Sequence, residues 1–231
     1  MNFDTTLYHG KLIKRYKRFL ADVELESGEV ITAHCPNPGS MLGLKEPGLL
    51  VWLSYHDDQK RKLKYTWQLT KIGEYYVGIN TQLPNRLAEE AIQAGVIPEL
   101  DGYDHMKREV KYGTNSKIDL LLSKDSGERC YVEVKNVHLK RGELAEFPDS
   151  VTSRGTKHLL ELQNEVEQGH RAVMLYVIQR DDSDVFSFAA DIDPKYAQTA
   201  RAVFNKGVEA YAYTCKVLPN GINIYRRVEI I

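Results

Sequence analysis

Lys117-Ile118-Asp119-Leu120-Leu121-Leu122 and Cys130-Tyr131-Val132-Glu133-Val134-Lys135-Asn136-Val137 flank the polar turn Lys124-Asp125-Ser126-Gly127-Glu128. Both runs read as strands of one hairpin, apolar except at a few positions. Side chains alternate between the faces of a strand, so Glu133 and Lys135 share a face, and Val132, Val134 and Val137 are assigned to the other. The hairpin brings Asp119 alongside Glu133 and Lys135. Charges in an otherwise Leu, Val, Ile and Tyr sheet are costly unless paired, hydrogen-bonded or bound to an ion. A hard divalent cation, Mg2+ or Mn2+, held by carboxylate oxygens with water completing its shell, is one such partner. Two carboxylates and a lysine in this arrangement point to metal-dependent phosphodiester cleavage. The cation neutralises the phosphate and lowers the pKa of a bound water, while the lysine orients that water or stabilises developing charge. Glu133 and Lys135 also suit an ordinary same-face ion pair on a strand edge, worth under about 1 kcal/mol, so the spacing leaves both readings open.

Working outward, the 231 residues allow one large domain or two smaller ones, and the pattern favours two: 1–82 and 83–231. Lys plus Arg number 31 and Asp plus Glu 32, a formal charge of −1, so an anionic partner must be met by a local patch. Two such patches are Lys11-Leu12-Ile13-Lys14-Arg15-Tyr16-Lys17-Arg18 and Lys60-Arg61-Lys62-Leu63-Lys64-Tyr65. Cys35, Cys130 and Cys215 are odd in number and lack CxxC spacing, which fits a reducing cytosol rather than a disulfide framework or a zinc site. No stretch reaches the apolar length of a membrane span and no basic-then-apolar signal opens the chain, so a soluble, cytoplasmic protein without a membrane partner is expected.

The first half-chain reads as five short strands, Phe19–Leu25, Val30–His34, Leu49–Tyr55, Leu63–Ile72 and Tyr75–Asn80, with no long helix among them. That pattern fits an OB-like β-barrel, whose curved face commonly holds nucleic acid; an SH3-like barrel reads much the same. Asn37-Pro38-Gly39-Ser40 is a turn between the second and third of these strands. In Arg61-Lys62-Leu63-Lys64-Tyr65-Thr66-Trp67 the rings of Tyr65 and Trp67 either stack bases or fill the barrel, and the alternation favours the core.

From Pro84-Asn85 onward strands and helices alternate, an α/β (α+β) arrangement. The spacing predicts a helix over Arg86–Ala94, a strand over Lys107–Lys111, the hairpin already described, and a long helix from Ser150 to Gln168 with Asp149 or Ser150 as N-cap. A strand over Ala172–Ile178, a helix over Lys195–Lys206, a strand over Val208–Cys215 and a hairpin turning at Pro219-Asn220-Gly221 complete the chain. Asp181-Asp182-Ser183-Asp184 reads as a solvated loop. Arg154, Lys157 and His158, at i, i+3 and i+4, share an exposed helix face and are candidates to hold a backbone phosphate, or form an ordinary solvated face. Glu89 or Glu90, and Glu109, are candidates to complete the metal shell, and spacing alone does not choose among them.

The chain resembles the sugar fermentation stimulation protein (SfsA) family along nearly its whole length. The resemblance is carried by Leu12-Ile13-Lys14-Arg15-Tyr16-Lys17-Arg18-Phe19-Leu20-Ala21-Asp22-Val23, His34-Cys35-Pro36-Asn37-Pro38-Gly39-Ser40-Met41, Glu109-Val110-Lys111-Tyr112-Gly113, Tyr131-Val132-Glu133-Val134-Lys135-Asn136-Val137, Phe147-Pro148-Asp149-Ser150-Val151-Thr152 and Arg154-Gly155-Thr156-Lys157-His158. It departs at Pro38, Lys117 and Ser150, where the family usually has Thr, Arg and Ala; none is a proposed ligand. The resemblance implies an N-terminal OB-like domain, a PD-(D/E)xK nuclease-like α/β domain, DNA binding without marked sequence preference and a link to sugar (maltose) metabolism. Matched residue by residue, it makes Asp119, Glu133 and Lys135 the core triad, with Glu90 the helix carboxylate among the metal ligands. Lys14, Arg15, Lys17, Arg18, Arg61, Lys62 and Lys64, with Arg154, Lys157 and His158, are then the expected DNA contacts. A helix-turn-helix, also attributed to the family, is not expected here, because Val208–Val217 is rich in β-branched and aromatic residues. Two functions follow from this reading: a DNA-binding factor of little sequence specificity, or a Mg2+-dependent nuclease.

Overall fold

In a computed structural model, which describes residues 1–113 and 116–231, the chain forms the expected OB-like barrel followed by a mixed α/β domain. The barrel comprises β1 (Tyr8–Tyr16), β2 (Leu20–Leu25), β3 (Val30–His34), β4 (Leu50–Tyr55) and β5 (Tyr65–Ile72), with β6 (Tyr75–Gly78) continuing the sheet. Closure comes from the parallel pairing of β3 with β5 at His34 and Thr66. Strand β1 was not among the five expected: its outward Lys11, Ile13 and Lys14 disguise an inward alternation at Gly10 and Leu12. Gly10 is required there, because a Cβ would stand 2.4 Å from the Glu24 carbonyl oxygen. Trp67 is fully buried with Leu12, Leu53 and Val77, so the core reading of that ring holds, whereas Tyr65 lies at the margin of the cluster.

The second domain opens with α1 (Pro84–Gln93), proline supplying the first helical position. Its nine-stranded sheet contains β7 (His105–Tyr112), β8 (Ser116–Ser123), β9 (Arg129–Val137), β10 (Leu139–Arg141), β11 (Leu144–Phe147), β12 (Arg171–Ile178), β13 (Val185–Phe188), β14 (Glu209–Leu218) and β15 (Gly221–Ile230), in the order β10-β11-β13-β15-β14-β12-β9-β8-β7. Helix α1 covers one face through Leu87, Ala88 and Ala91. Helices α2 (Ser153–Glu167) and α3 (Pro194–Phe204) cover the other through Leu159, Leu162, Tyr196 and Ala200. Strand β12 is buried along nearly its whole length between these layers, as a parallel strand flanked by helices must be.

Three expectations change. Val137 packs with Tyr131 on the α2 face, because odd-numbered positions of β9 share the side that carries Glu133 and Lys135. The N-cap of α2 is Thr152, whose hydroxyl accepts from the Gly155 N–H. Asp149, expected in that role, instead reaches into the barrel. The segment around Asp182 is no solvated loop: Asp182 is paired with Arg180 and Lys140, and buried Ser183 donates to the Glu143 carbonyl. Short strands β10, β11 and β13 gave no periodic signal. Helix α3 passes into β14, and β14 and β15 pair as a hairpin, so no helix-turn-helix forms there.

The two domains are latched at the Asn37-Pro38-Gly39-Ser40 turn. Ser40 Oγ donates to the Asp149 backbone carbonyl at 2.6 Å, and the Met41 N–H to its carboxylate at 3.1 Å. Gly39 is demanded by this approach, since a Cβ would stand 2.5 Å from Asp149 Oδ2. Below it the Gly78 N–H donates to the Gln179 carbonyl, and the Gln179 amide binds Asn80 and Asn136. The first residues also cross over: the Phe3 N–H donates to the Asn220 carbonyl and Asn2 pairs with Gly221, so residues 1–3 lie with the C-terminal hairpin rather than with the barrel.

Burial alone would raise the pKa of Asp149, but His138, the Met41 N–H and the Ser40 hydroxyl hold it well below the usual carboxylate range. A depressed carboxylate contributes stability that is present above its unfolded pKa of about 3.9 and is lost as pH falls toward the folded value. Asp149→Asn should therefore flatten the acid limb of the stability curve, by up to about 1.4 kcal/mol per pH unit below roughly pH 4. Urea titrations across that range would show it; identical slopes in both proteins would remove the latch from the account.

Candidate active site

Strands β8 and β9 pair from Ser123 and Arg129 up to Leu120 and Val132, and there the ladder ends. Beyond that point the Asp119 carboxylate takes the place of a backbone acceptor: Oδ2 receives the Val134 N–H at 2.8 Å and Oδ1 receives Asn85 Nδ2 at 2.8 Å. Asn85 lies in the first turn of α1, so that helix orients the acid from the opposite face. Glu133, only 2 % exposed, receives Lys135 Nζ at 2.6 Å and His158 Nδ1 on the same oxygen, Oε1. Its other oxygen, Oε2, is buried without a hydrogen-bond partner. Arg154 Nε stands 3.3 Å from His158 Nε2, so Arg154, His158 and Glu133 form a line from the start of α2 into the sheet.

The electrostatics follow from this packing. Burial first, and then the charge of Glu133, raise the pKa of Asp119 against the opposing Val134 N–H, Lys135 and Asn85. For Glu133 burial pulls upward too, but Lys135 and His158 outweigh it and the net direction is down. Tyr112, with its hydroxyl buried and unpartnered, is pushed well above its ordinary value by burial and by the nearby Glu133, Glu161, Asp119 and Glu165. Glu161 is also buried; both its oxygens lack a hydrogen bond, with Lys157 Nζ 3.5 Å from Oε1. The centre thus concentrates negative potential that Lys135 only partly offsets.

The structure gathers Asp119, Glu133 and Lys135 into one place. It also brings His158 there, buried and bonded to Glu133 rather than on the exposed helix face expected of it, while Arg154 and Lys157 remain exposed beside it. Glu90 is directed elsewhere, held by the Met1 amine at 2.8 Å and by Arg86 at 2.9 Å. Glu89, one residue earlier and one turn from Asn85, pairs with Arg108 of β7. Among the described residues no three His, Cys, Asp or Glu side chains converge as a ready ligand set. In the barrel, Lys17, Arg18 and Lys62 are exposed, Lys14 meets Asp22, and Lys64 meets Asp57. Arg15 donates to the Asn37 and Gly39 carbonyls, which buttresses the latch turn, and Arg61 donates to Thr66 Oγ1. Sequence reasoning missed Asn85, Tyr112 and Glu161; the position of Asn85 at the start of a helix was the one available signal for its role.

The SfsA N-terminal OB domain model matches residues 13–79, and the sugar fermentation stimulation protein RE domain model matches residues 82–221. The chain belongs to the sugar fermentation stimulation protein family. A homolog of that description from Maricaulis maris is 58% identical over 233 residues, covering 100% of this chain and 99% of the relative. One from Paramagnetospirillum magneticum is 54% identical over 224 residues, covering 97% and 95%. The solved structure of Pyrococcus furiosus SfsA in complex with Ca2+ superposes with a TM-score of 0.90 at 25% identity, covering 100% of this chain and 98% of that one. Members of the sugar fermentation stimulation family therefore share this barrel and α/β domain across wide sequence distance. No helix among the described residues is long and apolar enough to cross a membrane.

Proposed function

We propose that this protein binds DNA with little sequence preference and hydrolyses phosphodiesters at Asp119 and Glu133 with a divalent cation. The observation that carries this reading is Glu133: a buried carboxylate with one oxygen fixed by Lys135 and His158 and the other without a partner. The donor set suits a hard ion. Carboxylate oxygens from Asp119 and Glu133, with water and a substrate phosphate filling the remaining positions, satisfy Mg2+ or Mn2+ without a third acid, and a family member was solved in complex with Ca2+. When bound, such a cation supplies charge neutralisation at the phosphate and a water acidic enough to attack near neutral pH.

The chain's own residues set the geometry. Asn85 and the Val134 N–H orient Asp119, while Lys135 and His158 hold Oε1 of Glu133 so that Oε2 is left for a ligand. Lys135 Nζ stands ready to meet charge that develops on phosphate oxygens, and exposed Arg154, at the entrance of α2, meets the flanking phosphate. Exposed bases that touch backbone rather than base edges give binding that weakens steeply with salt. The link to sugar fermentation in the family's description then acts through nucleic acid.

A second reading, binding without cleavage, draws on Lys135 being already paired with Glu133 and on the lack of three converging ligands. Incubating single-stranded, duplex and branched DNA with Mg2+ or Mn2+, with gel shifts in parallel, decides between them. Cleavage that needs metal establishes the first; intact substrates with salt-sensitive binding establish the second.

A further inference from the structure

Phe19 is 47 % exposed, while the other five phenylalanines are buried or half-buried. It sits in the turn between β1 and β2, directly after Lys17 and Arg18, both exposed and both left-handed at φ 48° and 64°. Such values are uncommon for residues other than glycine, and Gly or Asn would relieve them; this turn instead presents two long cations. It is a fixed turn. The Phe19 N–H donates to the Lys17 carbonyl at 2.8 Å, and the Phe19 carbonyl accepts the Cys35 N–H at 2.8 Å. Leu20 pairs with His34, and His34 with Thr66, the residue to which Arg61 donates at 3.0 Å. The turn and the basic β4–β5 loop therefore border one rim of the barrel. Asp22, the acid nearest along β2, is already engaged by Tyr16, Thr32 and Lys14.

The same rim leads to the catalytic centre. Arg15, two residues before the turn, braces the Asn37 and Gly39 carbonyls, and Ser40 of that turn holds Asp149, just ahead of α2 and exposed Arg154.

We propose that the β1–β2 turn docks an unpaired nucleic-acid strand, with one base stacked on Phe19 and its phosphates held by Lys17, Arg18 and Arg61. An exposed ring interleaved with cations offers stacking to any base and charge to any backbone phosphate. A base inside a duplex is covered on both faces by its neighbours and reaches such a ring only after unstacking, so the turn selects single strands. This deepens the DNA-binding reading and rests on it; it is independent of whether the centre cleaves.

The test is fluorescence anisotropy on the full chain, in EDTA, with an oligothymidine of about 15 nucleotides and a duplex of equal length. Wild type should bind the single strand at least about tenfold more tightly than the duplex. Phe19→Ala should lose at least about fivefold, the lower end of one lost stack, and Phe19→Tyr should retain affinity. Replacing both Lys17 and Arg18 by Ala should reduce the slope of log K against log salt by about 1.4. Because Phe19 is exposed, thermal unfolding of Phe19→Ala should match wild type. Equal affinity for duplex and single strand, or a Phe19→Ala that binds as wild type does, overturns the proposal. Absence of binding to either probe would overturn the DNA-binding reading along with this one, whereas salt-sensitive binding that does not distinguish single strand from duplex overturns this inference alone.

Discussion

Glu133→Gln should abolish metal-dependent cleavage while leaving the fold in place. The amide keeps the shape of a side chain that is 2 % exposed, so no cavity opens in β9. What it removes is the anionic donor. Oε2, the oxygen without a protein partner, becomes half of a neutral amide, and Lys135 and His158 lose the charge they share. Losing even an outer partner of a metal ligand costs about 10–100-fold in affinity, so loss of the ligand itself should exceed about 100-fold in Mn2+ binding. Calorimetric titration with Mn2+ gives that number without reference to any substrate, and single-turnover cleavage gives the kinetic loss beside it. Wild-type Mn2+ affinity in the variant would place the cation elsewhere and withdraw Glu133 from the catalytic account. His158→Asn offers the intermediate case: it should weaken Mn2+ binding by about 10-fold, because it frees Glu133 to rotate without removing a ligand.

The gathering of Asp119, Glu133 and Lys135 was legible in the sequence because strand alternation and burial cost act locally. Asp119, Glu133 and Lys135 are too polar for the runs that hold them, and two-residue periodicity placed the last two together. Proline at 84 and Asn-Gly at 220–221 marked a helix start and a hairpin for equally local reasons. The latch was not legible, because Ser40 and Asp149 are separated by 109 positions and meet only once both domains are folded. The burial of His158 escaped for a related reason: helical spacing groups Arg154, Lys157 and His158, but only the packing of α2 on β9 decides which of them turns inward. The resemblance placed the helix carboxylate at Glu90, where a shift of one residue is about 100° of rotation. That rotation takes Glu90 to the Met1 amine and leaves Asn85 facing Asp119. Strand β1 was hidden by its outward charges, whose run masks the short inward alternation of the barrel strand.

Lys135→Ala should cost about 3–5 kcal/mol of stability in the metal-free protein, the range for removing one partner of a buried pair. The pair qualifies: Lys135 is 14% exposed, Glu133 is 2% exposed, and their atoms are 2.6 Å apart. Without the ammonium, the burial that already opposes ionisation of Glu133 is countered mainly by His158, so the Glu133 pKa moves up from its present depressed position. Asp119, whose pKa is raised by burial and by the charge of Glu133, shares in that relief once Glu133 takes up a proton. A divalent cation reverses the loss, because it binds the folded carboxylates and stabilises by an amount that grows with the logarithm of its concentration over Kd. Urea denaturation with EDTA and with Mn2+ should therefore show the metal restoring more stability to Lys135→Ala than it adds to wild type. Lys135→Met, which keeps the aliphatic stem, should show the same metal dependence with a smaller packing loss. If the variants matched wild type in EDTA, the ion pair would carry no net stability. If Mn2+ moved all three proteins equally, the cation and Lys135 would not be answering the same charge.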